Sequence, residues 1–229
     1  MQRHVVVLPL NDGFKLEIEQ LLAALKAGSQ QPLSPRAGEL LTEITCQSID
    51  HVFKEMMARF LLVEGLPEDK QAKVKESLSH IEEVKGIIHK YMGWAISKFS
   101  NERILPVIQY FYQSLESREE HSALVVSLSE TTAQRAIHSL QDLKLKRVND
   151  MTPAIECLIE VTDIVVDKLI RHPMHLLKFN IVVEKTLNGV IKMTTSMAYK
   201  NLLKLGRSLD PLLYDTAADH LQQFLQLRS

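Results

Sequence analysis

The sequence predicts an all-α fold, a bundle of about seven or eight helices behind a short extended N-terminal arm. Three observations carry this reading. Apolar residues recur at helical spacing through most of the chain. Prolines stand where helices start, at Pro67, at Pro153 behind Thr152 and at Pro211 behind Asp210, because a fixed φ and a missing N–H suit the first turn. Lys178, Lys185 and Lys192 recur every seven residues, which keeps them on one side of a helix, whereas on a strand they would alternate faces.

Met1 to Leu10 is β-branched and interrupted by Pro9, so it reads as an extended arm, with strand no further than Arg3 to Leu10 and a turn at Asn11-Asp12-Gly13. Phe14 to Ala27 follows as a helix with Leu16, Leu21, Leu22 and Leu25 available for burial. The stretch from Gly28 to Pro35 has linker composition, at a length that fits a connection inside one domain. Glu39 to Glu64 reads as a second helix stopped by Gly65. The third opens at Pro67 and runs towards Ser100 with one apolar stripe, Val74, Leu78, Ile81, Val84, Ile88, Met92, Ala95 and Phe99. Asn101 interrupts the chain, and Glu102 to Ser117 then carries its densest aromatic patch. Arg118 to Lys146 reads as a single helix kinked at Ser127 to Thr132, where hydroxyls compete for backbone hydrogen bonds. The last helix starts at Asp210-Pro211 and runs through Leu221 and Phe224.

The most apolar stretch is Thr152 to Gly206. From Pro153, residues Ile155, Leu158, Ile159, Val165, Val166 and Leu169 fall in one arc, opposite Glu156, Glu160, Asp163 and Asp167. Arg171-His172-Pro173 is expected to end that helix, since a residue before proline is pushed out of the α region. Asn188-Gly189 between two β-branched runs imitates a β-hairpin, but the lysine spacing favours a helix, with Gly206 as its C-cap.

An earlier segment matches this one. Ala37, Glu39, Leu41, Glu43, Thr45 and Asp50 are identical to Ala154, Glu156, Leu158, Glu160, Thr162 and Asp167 at one constant separation. The pattern suggests two related three-helix halves, 36–117 and 152–229, an internal repeat inside one domain of residues 14–229 behind an arm of residues 1–13. Amphipathic helices also match by chance, so two unrelated helices are the plain alternative.

The chain has 229 residues, 45% of them apolar, and a net charge of −1. That length can bury a full core. The charge argues against a nucleic-acid partner, which needs a basic surface. No apolar run is long enough to span a bilayer, and Cys46 and Cys157 are too few for a disulfide framework, so a cytoplasmic setting with buried thiols is expected.

Phosphate-binding glycine loops, nucleophile elbows and His-Glu-x-x-His are absent, and none of the nine histidines follows a Glu by three residues as a di-iron bundle requires. The sequence therefore points away from an enzyme and implies no cofactor. Its first functional reading is a non-catalytic protein-interaction or regulatory module that binds a protein partner or a second copy. A second is a bundle holding an apolar small molecule or lipid. For both readings the candidate residues are Met92, Trp94, Tyr110, Phe111 and Tyr112, with core packing as the plain alternative. A third is a divalent-metal enzyme acting on a phosphate ester or nucleotide, its weak ligand candidates being the acids of the two stripes, Glu39, Glu43 and Asp50 with Glu156, Glu160 and Asp167. Those acids lie opposite the apolar arcs, where solvent is the simpler destination.

Overall fold

Val5, Val6, Val7 and Leu8 are consecutive and all buried, which a β-branched run achieves as a strand covered on both faces. The computed structural model describes residues 3–118 and 121–228. In it β1 (Arg3–Leu10) is an inner strand of a four-stranded antiparallel sheet with β2 (Leu115–Arg118), β3 (His121–Ser127) and β4 (Leu225–Arg228), in the order β2-β3-β1-β4. The rest of the fold is a multi-helix bundle.

Three of these strands correct the expectation that strand ends at Leu10. In β3, Ser122, Leu124 and Val126 are buried while Ala123 and Val125 are half-buried, a period of two that the neighbouring serines obscure. The hydroxyl cluster after it is a helix cap and not a kink, because Ser129 Oγ accepts from the Thr132 N–H at 3.1 Å. β2 and β4 have four residues each, too few to show a period in sequence. The last helix accordingly stops before Phe224, and Leu225–Arg228 pairs with β1.

Helix α1 (Phe14–Lys26) buries Phe14, Ile18, Leu21, Leu22 and Leu25, while Leu16 faces solvent. Helix α2 (34–60) contains a π-helical turn at Asp50–Lys54. Pro67 precedes α3 (Glu68–Ile96). Helix α4 (Asn101–Ser114) begins at a residue that fastens the linker before α2: Asn101 Oδ1 accepts from the Leu33 N–H at 2.9 Å, and Nδ2 donates to the Ser29 and Gln31 carbonyls at 2.8 Å. Helix α5 (Glu130–Lys144) is followed by α6 (152–177), which has its own π turn at Asp167–Arg171. Then come α7 (Ile181–Gly206) and α8 (Tyr214–Gln222), the latter entered by a 3₁₀ turn capped by Asp210.

The expected break at Arg171-His172-Pro173 does not occur. The π turn ends at Arg171, and Pro173 falls in the first turn after it, where helix continues to Leu177. The chain turns instead at Lys178, in the left-handed region at φ 50°, where the Arg103 guanidinium donates to the Leu177 and Lys178 carbonyls. Residues 181–206 are helix, as expected, with Lys185 and Lys192 on it; Lys178 falls in the turn before it and so does not share that helix face. Gly206 serves packing and not capping: a Cβ there would lie 2.7 Å from Ile155 Cγ1. Gly38 of α2 faces the same constraint against α3, where a Cβ would lie 3.0 Å from the Gly93 carbonyl oxygen.

Strand, helix, π-interrupted helix, long helix, helix, strand is the element order of residues 3–118, and it recurs over 121–228. The closing strand of each half pairs with the opening strand of the other, β2 with β3 and β4 with β1.

The π turns are braced crosswise too. A π turn displaces carbonyls from the regular ladder, which leaves them able to accept from another element. In α2 the Val52 carbonyl accepts from His220 Nε2 of α8 at 3.0 Å; in α6 the Lys168 carbonyl accepts from the Tyr110 hydroxyl of α4 at 3.1 Å. His220 is 0% exposed, and Gln223 Nε2 stands 3.1 Å from its Nδ1, an arrangement that suits a neutral ring donating from Nε2. Burial holds its pKa below the ordinary histidine value, with nearby Arg59 adding to the effect and the Val52 carbonyl and Glu55 opposing it. An unfolded chain takes up the proton near pH 6.5 while the folded one resists it. Stability is therefore complete above that pH and declines as pH falls through it towards the folded value, by at most about 1.4 kcal/mol per pH unit from this residue. His220→Gln keeps a donor but cannot titrate. Thermal melts from pH 8 to 5 are expected to fall less steeply for that variant than for wild type, and parallel curves would show that another group sets the slope.

Candidate functional site

Two clusters of buried side chains make up the core. One joins the sheet to α1, α4 and the first half of α2. The other gathers α5, α8, the end of α2 and the last turns of α7. Between them the apolar faces of the long helices are only half-buried, notably Ile81, Val84 and Ile88 of α3, Val161 and Val165 of α6, and Val190 and Ile191 of α7.

These residues line a cavity of about 280 Å³. Helix α3 packs on α2 and on α7, and α7 packs on α6. One face of each of these four helices borders the space, with Val6 and Leu8 of β1 at one side. Its walls are apolar, aliphatic side chains with Phe53, Phe179 and Phe224 among them, apart from scattered hydroxyls, two tyrosines, His80, Asn201 and Cys157. Most of the buried hydroxyl positions are satisfied within their own helix: Thr45 donates to the Leu41 carbonyl at 2.8 Å and Ser48 to the Ile44 carbonyl at 2.9 Å. Thr194, in the middle of α7 and 7% exposed, has a buried hydroxyl with no hydrogen-bond partner.

At one rim the Tyr199 hydroxyl donates to Asp163 Oδ1 at 3.2 Å, and Arg171 grips the same carboxylate at 2.9 and 3.2 Å. Arg171 holds the Asp163 carboxyl below its usual range, while burial and then the Asp163 charge push the Tyr199 hydroxyl up. Burial likewise raises the Cys157 thiol, and brings Cys46, buried nearby in α2, up to about 11. A raised thiol pKa leaves less of the nucleophilic thiolate at neutral pH.

Of the residues singled out by sequence, Met92 lines the cavity. Trp94 is 45% exposed and has Lys98 Nζ 5.3 Å from its ring centroid. Phe111 is fully buried under the sheet, Tyr110 meets the Phe111 ring edge-on and the His172 ring at a tilt, and Tyr112 packs beside the same cluster. The structure thus gathers Tyr110, Phe111 and Tyr112 at one core cluster with Met92 packed against it, and leaves Trp94 apart at the surface. The acidic stripes meet cations: Glu39 pairs with Arg36 at 3.1 Å, Asp50 with Lys85 at 2.7 Å, and Glu160 with Arg135. Glu43 and Glu156 are exposed. Among the described residues no three His, Cys, Asp or Glu side chains come together where they could hold a metal ion. No described helix is long and apolar enough to cross a membrane.

Thr194 and Tyr199 were not legible as site residues, because a hydroxyl inside an apolar stripe reads as ordinary core. Comparison with family models, curated proteins and solved structures finds no match to this chain.

Proposed function

We propose that the protein binds an apolar small molecule in the space between α2, α3, α6 and α7, without catalysis. The observation that carries this reading is the cavity itself, about 280 Å³ with apolar walls. Close packing is the rule in protein interiors. An apolar recess of that size leaves the faces of four helices without packing partners and in contact with water. A ligand recovers that loss by restoring contacts along Val84, Ile88, Val161 and Val190. Such a ligand-binding module needs no nucleophile and no metal cluster. A cytoplasmic setting fits the two buried, unpaired thiols.

We further propose that the halves are a duplication, wider than the matching helices alone suggest, covering 3–118 and 121–228. It is supported by the recurring element order, by π turns placed alike after Ala37 and Ala154, and by the crosswise pairing of strands and carbonyl caps.

The test is a neutral fluorescent probe of two fused rings, 1-methylnaphthalene, titrated into the protein alongside thermal melts. Saturable binding with rising melting temperature is expected, since a ligand at about 100 times its Kd adds about 2.7 kcal/mol. Absence of both would overturn the reading. In that case the half-exposed walls would call for a protein cover, and light scattering showing a dimer would return the interaction reading to first place.

A further inference from the structure

We propose that the outer surface of α3 and α7 docks on an anionic lipid bilayer. It stands on surface residues alone, and the cavity behind it gives the contact a use, because an apolar ligand partitions from water into bilayers.

The whole chain carries a net charge of −1, yet residues 168–209, which include α7, hold eight lysines and arginines against one acid, Glu184. Residues 86–101, at the end of α3, hold Lys90 and Lys98 and no acid. The two stretches are neighbours. Glu76 near the start of α3 meets Lys204 near the end of α7 at 3.7 Å, and at the opposite end the Phe99 and Phe179 ring centroids lie 4.9 Å apart. The helices therefore run antiparallel, side by side. Their inner faces line the cavity through Ile88, Tyr91, Leu187 and Val190, so their outer faces form one surface. Lys90, Lys98, Lys185 and Lys192 are exposed on it, and among the described residues none of the four makes an ion pair. The nearby acids do not neutralise them: Glu82 is held by Lys54 and Lys85, Glu83 faces His80, and Glu184 is half-buried.

Apolar side chains stand out among these lysines. Ile181 and Val182, at the start of α7, are 71% and 74% exposed, and Met193 and Trp94 face solvent as well, Trp94 beneath Lys98. That mixture suits the headgroup region of an anionic leaflet. Ammonium groups meet lipid phosphates, aliphatic tips enter the acyl boundary, and an indole sits between the two. A protein interface is depleted in lysine and gathers its apolar residues into a dry centre, whereas here they are dispersed among cations. A nucleic acid would take up the charge and leave Ile181 and Val182 in water. No described helix is long and apolar enough to cross the bilayer, so the contact is peripheral.

The experiment mixes the full chain with phosphatidylcholine vesicles with and without about 30% phosphatidylglycerol. Binding is read by co-sedimentation and by the emission of Trp94, the one tryptophan of the chain. Wild type is expected to bind the anionic vesicles with a blue shift of that emission, to ignore the neutral ones, and to be released as salt rises from about 0.05 to about 0.5 M. Each lysine near such a surface is worth about fivefold in affinity. Lys90→Glu, Lys185→Glu and Lys192→Glu combined should therefore weaken binding by about a hundredfold or more. Lys146→Glu with Arg147→Glu, exposed cations of the turn after α5, should change it little. Ile181→Ser with Val182→Ser should weaken it by about tenfold. Wild type that stays off anionic vesicles at low salt, binds neutral ones equally, or is retained by single-stranded DNA alone would overturn the surface. So would full binding by the triple variant. If that variant fails to fold, salt-insensitive binding of wild type, or full binding by the Ile181 and Val182 pair of changes, overturns it instead. Binding of 1-methylnaphthalene without vesicle binding would remove this surface and leave the cavity standing; vesicle binding without the probe would do the reverse.

Discussion

Ala198→Phe is expected to abolish probe binding while leaving the protein folded. Ala198 lines the cavity from α7, one turn beyond Thr194. A phenyl ring there claims a benzene-sized share of the space, about 150 Å³ of the roughly 280 Å³ present. In a close-packed core such an insertion costs about 1–3 kcal/mol in strain. At Ala198 it fills a void, so the melting temperature should hold or rise while probe affinity drops by about tenfold or more. A variant that melts as wild type and binds the probe unchanged would place the ligand elsewhere. If the variant unfolds, Ala198→Leu repeats the test with less bulk.

Phe111→Ala is expected to lower stability by about 3–5 kcal/mol, the range for removing a fully buried aromatic side chain. Phe111 is 0% exposed in α4, with the Tyr110 ring edge-on at 5.6 Å and the sheet beside it. The variant also tests whether the aromatic segment of α4 is an interaction surface. A large loss in urea unfolding with unchanged mass by light scattering means core. A small loss with altered self-association would mean that the segment is held by a partner, and would move Phe111 from the core to an interface.

The helical character of this chain was legible because it rests on periods that survive in sequence. Lys185 and Lys192 do lie on the helix that the Asn188-Gly189 hairpin would have replaced, although Lys178, the third of the series, sits in the turn before it, and Pro67 and Pro211 marked true starts. The strands were not, since β2 and β4 are four residues long and β3 borders serines that resemble a kink. The π turns left no trace either. One extra residue in a turn shifts the apolar arc by less than its own width, so Asp50–Lys54 and Asp167–Arg171 read as plain helix. The candidate site was hidden for a different reason. Val84, Ile88 and Val190 carry the pattern of core residues, and whether a helix face meets another helix or empty space depends on backbones far away in sequence.

The exchange of closing strands also sets an order of events during synthesis. β1 leaves the ribosome before either of its partners, β3 and β4, exists. Helices α1 to α4 can form early from local contacts, but the inward stripe of α3 then faces water until α6 and α7 emerge. The nascent chain therefore carries an uncovered apolar wall through half of its translation, the condition that recruits chaperones.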